Sequence, residues 1–93
     1  MRGYEMHKDD YRNRLRRIEG QVRGLQRMID EDEYCVDVLT QIVSVTKALQ
    51  SLGLNLLEEH MHHCVVDAAV ESPEAGAEKV DEVMAAVTRL LKT

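Results

Sequence analysis

YCVDVLTQIVSVTKALQSLGLNLLEEHMHHCVVDAAV, residues 34–70, is the stretch that decides the fold. It has no proline and a single glycine, Gly53. Apolar residues recur along all of it: Val36, Leu39, Ile42, Val43, Val45, Leu49, Leu52, Leu56, Leu57, Val65 and Val66. That pattern predicts one long helix from Tyr34 to about Val70. Its apolar surface is too broad for a single partner stripe, so it should pack on more than one neighbour. The two cysteines of the chain, Cys35 and Cys64, both lie here, and His60 stands four residues before Cys64. On a helix that spacing puts an imidazole and a thiol on one face, half of a metal site.

Upstream, residues 1–8 are polar and read as a disordered tail. Asp9 or Asp10 can cap the helix that follows. Leu15, Ile18, Val22, Leu25 and Ile29 alternate steps of three and four, the seam of an amphipathic helix. Arg12, Arg14, Arg16, Arg17, Arg23 and Arg27 occupy the rest of its surface. The acidic run 30–33 ends this helix, and Asp32 is the expected N-cap of the long one. Downstream, residues 71–76 read as a loop, although Ser72 before Pro73 can also start a helical turn. A last helix is expected from about Ala77 to Leu91, with Val80, Val83, Met84, Val87, Leu90 and Leu91 on its apolar face. The expected fold is all-α, a single domain over residues 1–93, with three helices and a long central one.

Ninety-three residues with no Trp, no Phe and three Tyr give a small aliphatic core, which favours oligomerisation. No apolar run is long enough for a transmembrane helix, and no apolar segment marks a secretory signal. The expected compartment is the cytoplasm, where two cysteines are better read as ligands, sensors or buried thiols than as a structural disulfide. The net charge of −5 is unevenly placed. Residues 1–29 hold eight Lys/Arg against four Asp/Glu, a net of +4; residues 30–93 hold four against thirteen, a net of −9. A basic element on an acidic body reads either as a polyanion contact or as a solvated helix face. No nucleophile–base set and no Gly-rich phosphate loop is visible, so an enzyme is not expected.

Helix phase ties Cys35 to the downstream pair. At 100° per residue, Cys35 to His60 falls about 20° short of whole turns and Cys35 to Cys64 about 20° past them. All three share one face, yet Cys35 and His60 would stand roughly 37 Å apart on a straight helix. An antiparallel pairing of two such helices removes the conflict. With Cys35 of one chain facing residue 62 of another, the twofold axis passes near Ala48 and Leu49. Leu39, Ile42, Thr46, Leu49, Gly53 and Leu57 line the same seam, which suits an isologous interface. Each site then takes Cys35 from one chain with His60 and Cys64 from its partner. Two thiolates and an imidazole are a soft, low-coordinate set that fits Cu(I) better than hard ions, whereas zinc would want a fourth ligand. A His on a helix is more often a surface or packed group than a ligand, and a lone Cys is commonly buried and inert. The shared phase favours ligation. His62 points away and is expected in solvent, His63 lies off the face, and His7 falls in the tail with no assigned role.

Tyr34-Cys35-Val36-Asp37-Val38-Leu39, then Leu56-Leu57-Glu58-Glu59-His60-Met61-His62-His63-Cys64, with Asn13-Arg14-Leu15 and Glu19-Gly20-Gln21-Val22 upstream, resembles the copper-sensing repressor family (CsoR/RcnR). The resemblance covers about residues 8–92. Nickel- and cobalt-sensing members carry His where Cys64 stands, and persulfide-sensing members lack the His, so the pattern is the copper one. It implies an antiparallel dimer assembled into a homotetramer, which binds operator double-stranded DNA without metal and is released by Cu(I), derepressing copper-efflux or copper-homeostasis genes. It places Tyr34 and, after a two-residue loop insertion, Glu82 beside the metal ligands Cys35, His60 and Cys64. Arg14 matches its DNA-contacting arginine. A second basic position, Arg in some members, is Ser51 here, with Lys47 one turn away as a substitute. Arg12, Arg16 and Arg17 can add phosphate contacts. The alternative is a thiol redox or persulfide sensor in which Cys35 and Cys64 bridge two chains without need of His60; a third reading is a metal buffer that binds no DNA.

Overall fold

The computed structural model describes residues 7–92. Its elements are α1 (Lys8–Asp30), α2 (Cys35–His60), a π turn (Met61–Val65), α3 (Val66–Glu71) and α4 (Pro73–Leu91). No strand occurs among the described residues. The all-α class and the long central helix are as expected, with one difference. The expected helix to Val70 is interrupted by the π turn, whose i→i+5 hydrogen bonds widen the spiral.

Three helix ends differ from the sequence reading. α1 begins at Lys8, so Asp9 and Asp10 lie in its first turn, where carboxylates suit the positive end of the dipole, rather than at the cap. Asp32 closes α1 instead of opening α2. Its φ is 56°, its N–H donates to the Ile29 carbonyl, and the Glu33 N–H donates to the Met28 carbonyl at 3.0 Å. That pair of bonds is the Schellman closure, with Asp in the left-handed position usually held by Gly. Tyr34 opens α2: its carbonyl accepts from the Asp37 and Val38 N–H groups. Finally, α4 starts at Pro73, not near Ala77. Ser72 is its N-cap, with the side-chain oxygen accepting from the Ala75 N–H at 3.1 Å, and Pro73 supplies the first-turn φ.

The chain divides into two compact units. In the first, Asp9–Leu52, the buried side chains are Tyr11 and Ile18 on α1 and Val38, Val45 and Leu52 on α2. Each set repeats at seven residues, the step that keeps side chains on one seam of a helix. The short connection 31–34 makes the two helices an α-hairpin. Leu15, Val22 and Ile29 repeat at seven as well but stay exposed, so α1 carries one buried and one open apolar row.

The second unit holds the described residues from Gly53 onward, together with His7 and Lys8. Here α4 packs on α3 and on the π turn. Val83 of α4 is its most enclosed side chain, and Ala68 of α3 is buried too. Gly76 is buried where a Cβ would meet the backbone of Ala69. Of the expected tail, residues 1–6 lie outside the described residues, but His7 is placed: its Nδ1 is 2.9 Å from Oε1 of Glu59, a carboxylate only 6% exposed.

Candidate metal centre and nucleic-acid face

His60 is the last residue of α2 and Cys64 the fourth of the π turn. Their spacing of four was read as one α-helical turn; the π turn alters the angular position of Cys64 while leaving His60 on regular α-helix. The His60 side chain is 23% exposed, and Cys64 is half-buried. α4 brings Glu82 to this place: His60 Nε2 lies 4.0 Å from Glu82 Oε1, and the other Glu82 oxygen accepts from Lys79 Nζ at 3.3 Å. At 4.0 Å the imidazole and carboxylate form an ion-pair approach rather than a hydrogen bond. A carboxylate beside one ring nitrogen of a His leaves the other nitrogen for a metal.

Cys35 is the first residue of α2 and is exposed; neither cysteine is in a disulfide. Tyr34, just before it, is 69% exposed, and its backbone carbonyl is committed to the cap. Among the described residues no three His, Cys, Asp or Glu side chains of the single chain converge to hold a metal ion. His60, with the Glu82 carboxylate 4.0 Å from its Nε2, and the half-buried Cys64 are the two candidate donors of this segment, and both are of the soft or borderline kind. His62 is exposed as expected, and His63 is half-buried. The sequence reading gave His7 no role, and its contact with Glu59 was missed. A carboxylate inside the run Leu56–His60 was the only signal, and nothing in the sequence marks it as buried.

The basic face lies on α1. Arg12 approaches Asp9 at 3.8 Å, and Arg23 donates to Glu19 at 3.3 Å, both exposed pairs of small energetic weight. Arg14 is half-buried and its Nη2 donates to the Ser51 hydroxyl at 3.3 Å. Arg16, Arg17 and, on α2, Lys47 are exposed. No helix of the described residues is long and apolar enough to cross a membrane.

Comparison with known proteins adds the context. Residues 7–89 match the family model described as metal-sensitive transcriptional repressor. The chain is 55% identical over 91 residues to the copper-sensing transcriptional repressor RicR of Mycobacterium tuberculosis, covering 98% of this chain and 95% of that one. It is 46% identical over 86 residues to the copper-sensing transcriptional repressor CsoR of Bacillus subtilis, covering 92% and 83%. Among solved structures it resembles the copper-sensing repressor CsoR with Cu(I) from Geobacillus thermodenitrificans, with a TM-score of 0.82 at 38% identity over 98% of this chain and 92% of that one. With the family model spanning nearly the whole of the described helical chain, this protein belongs to the metal-sensitive transcriptional repressors.

Proposed function

We propose that this protein is a Cu(I)-responsive transcriptional repressor that binds operator DNA in its metal-free form and is released when Cu(I) binds, derepressing copper-efflux and copper-homeostasis genes. The observation that carries it is the donor set: His60 backed by Glu82, with Cys64 one turn on and Cys35 exposed at the start of α2. Two thiolates and an imidazole suit Cu(I), and the relatives named above are copper sensors. Family membership makes the chain a repressor rather than an enzyme.

Cys35 reaches the other two donors by belonging to a second chain, in an antiparallel homodimer whose axis lies near Ala48 and Leu49. Two dimers form the homotetramer, which acts in the cytoplasm. Support for the dimer comes from Leu39, Ile42 and Leu49, three residues of the expected seam that are exposed in the single chain. The metal ligands are Cys35, His60 and Cys64, with Tyr34 and Glu82 beside them. Arg14, with Arg12, Arg16, Arg17 and Lys47, faces the DNA. Cu(I), as the effector, joins two chains through its ligands, and a coupling of a few kcal/mol between metal and DNA binding is enough for clear derepression.

The test is an anaerobic Cu(I) titration of the protein bound to a duplex from upstream of its own gene. Dissociation of the unmutated protein and retention of DNA by Cys35→Ser are expected. Release of Cys35→Ser at the same Cu(I) level refutes the assignment. His60→Ala separates the thiol-sensor alternative, since thiol bridging leaves that variant responsive and Cu(I) sensing does not.

A further inference from the structure

Glu59 is the one buried side chain of a charged type among the described residues, 6% exposed. Its place in α2 accounts for that burial. Val38, Val45 and Leu52 are buried at steps of seven, and the next step along the same helix is Glu59. A carboxyl group thus stands where the row calls for an aliphatic side chain, and burying it is costly unless a partner meets it. His7 is such a partner: its Nδ1 lies 2.9 Å from Glu59 Oε1, while its own side chain is 59% exposed. Replacing a buried polar or ionic contact with a well-packed aliphatic residue is often neutral or stabilising, so packing alone does not account for a glutamate here. The two partners are each one residue from a functional segment. Glu59 directly precedes His60, the imidazole donor at the end of α2. His7 directly precedes α1, the helix of Arg12, Arg14, Arg16 and Arg17.

We propose that His7 and Glu59 are positioning residues that couple Cu(I) occupancy at His60 to the DNA affinity of α1, themselves touching neither metal nor DNA. The proposal rests on the repressor reading above and names the contact through which one site biases the other. Glu59 and His60 are consecutive residues of one helix, so any backbone change at His60 moves the Glu59 carboxyl with it. A hydrogen bond has a preferred length and direction and passes that displacement to His7 and the first turn of α1. An aliphatic side chain at position 59 would be held by non-directional packing and would not. Removing a contact whose state both ligands bias lowers the coupling between two sites without removing either site.

The experiment measures anaerobic binding to a duplex from upstream of the protein's own gene, with and without saturating Cu(I). The ratio of the two dissociation constants is the coupling. Cu(I) affinity of the DNA-free protein is measured separately by competition with a Cu(I) chelator. His7→Ala and Glu59→Leu are each expected to lower the ratio by about tenfold, with Cu(I) affinity and metal-free DNA affinity little changed. The double variant should lose no more than either single one, since both break the same contact. His7→Gln keeps a side-chain N–H donor and should retain more of the ratio than His7→Ala. Melting temperature separates coupling from packing: Glu59→Leu continues the aliphatic row and is expected to melt at or above the unmutated protein. A ratio unchanged in both single variants overturns the proposal, as does a double variant in which the two effects add. A Glu59→Leu protein that melts lower and keeps the full ratio assigns the pair to packing alone and overturns it too. Each of these results leaves the repressor reading intact. If Cu(I) does not weaken DNA binding by the unmutated protein, the repressor reading falls and the coupling assignment with it.

Discussion

Asp32 is the one non-glycine residue with positive φ among the described residues, at 56°. An L side chain in that conformation brings its Cβ against the following carbonyl, at a cost of roughly 1–2 kcal/mol. Asp tolerates it better than most residues, and the Schellman bonds hold it there. Asp32→Gly is therefore expected to stabilise the fold by about 1 kcal/mol, less whatever the freer unfolded chain returns. Urea unfolding of the two proteins checks it, with a higher midpoint for the variant. The sequence reading placed Asp32 at the wrong helix end because a short acidic side chain is equally good as an N-cap and as a left-handed residue. Only the backbone dihedral distinguishes the two. Glu82 is the opposite case. Its position beside His60 followed from family resemblance, and α4 delivers it to 4.0 Å. Outer partners of a metal-bound His commonly carry 10–100-fold in affinity. Glu82→Ala should weaken Cu(I) binding by about tenfold or more, measured by competition with a Cu(I) chelator, while Lys79→Ala changes it far less.

At the scale of elements, α4 shows how loop signals can belong to a helix. Residues 71–76 were read as a loop, with a helical turn starting at Ser72–Pro73 as the alternative; that alternative is what forms, and Gly76 inside it is needed for contact. A Cβ there would stand 2.9 Å from the Ala69 Cα and 3.0 Å from its Cβ. Backbone atoms cannot swing aside, so α3 and α4 would have to separate. Gly76→Ala should destabilise the fold by about 1–3 kcal/mol, as overpacking does. Gly53 makes a useful contrast. Its added Cβ would meet the Leu90 side-chain tips at 3.0 and 3.1 Å, and those can rotate away. Gly53→Ala is expected to cost clearly less than Gly76→Ala, a difference that paired urea midpoints resolve. The three helical segments themselves were legible from periodicity, because apolar spacing is a property of the sequence alone. The π turn was not: no residue type in Met61–Val65 marks an i→i+5 turn, and it falls within the candidate metal site, where such turns often occur.

At the scale of the whole molecule, the exposed apolar side chains argue for association. Val36, Leu39, Ile42, Val43 and Leu49 on α2 are all exposed, as is the row Leu15, Val22 and Ile29 on α1. Burying a side chain of this kind contributes roughly 1.5–3 kcal/mol, so a second copy covering several of them would be a strong stabilising term. A sequence of this composition pointed the same way, since a small core without Trp or Phe is marginal alone. The helix-phase argument then placed the axis near Ala48 and Leu49. If that axis is right, Leu49 of each chain sits close to its own symmetry mate, and Leu49→Glu sets two carboxylates against each other in an apolar seam. The unmutated protein should sediment as a dimer or larger species, with a melting temperature that rises with concentration. Leu49→Glu should shift it to monomer. Because Cys35 and the His60–Cys64 pair belong to different chains in the proposed site, the same substitution should also remove tight Cu(I) binding, although no ligand has been changed. A monomeric Leu49→Glu protein that still binds Cu(I) as tightly as the unmutated one would mean that a single chain supplies the whole donor set. The convergence of Cys35, His60 and Cys64 across two chains would then have to be abandoned.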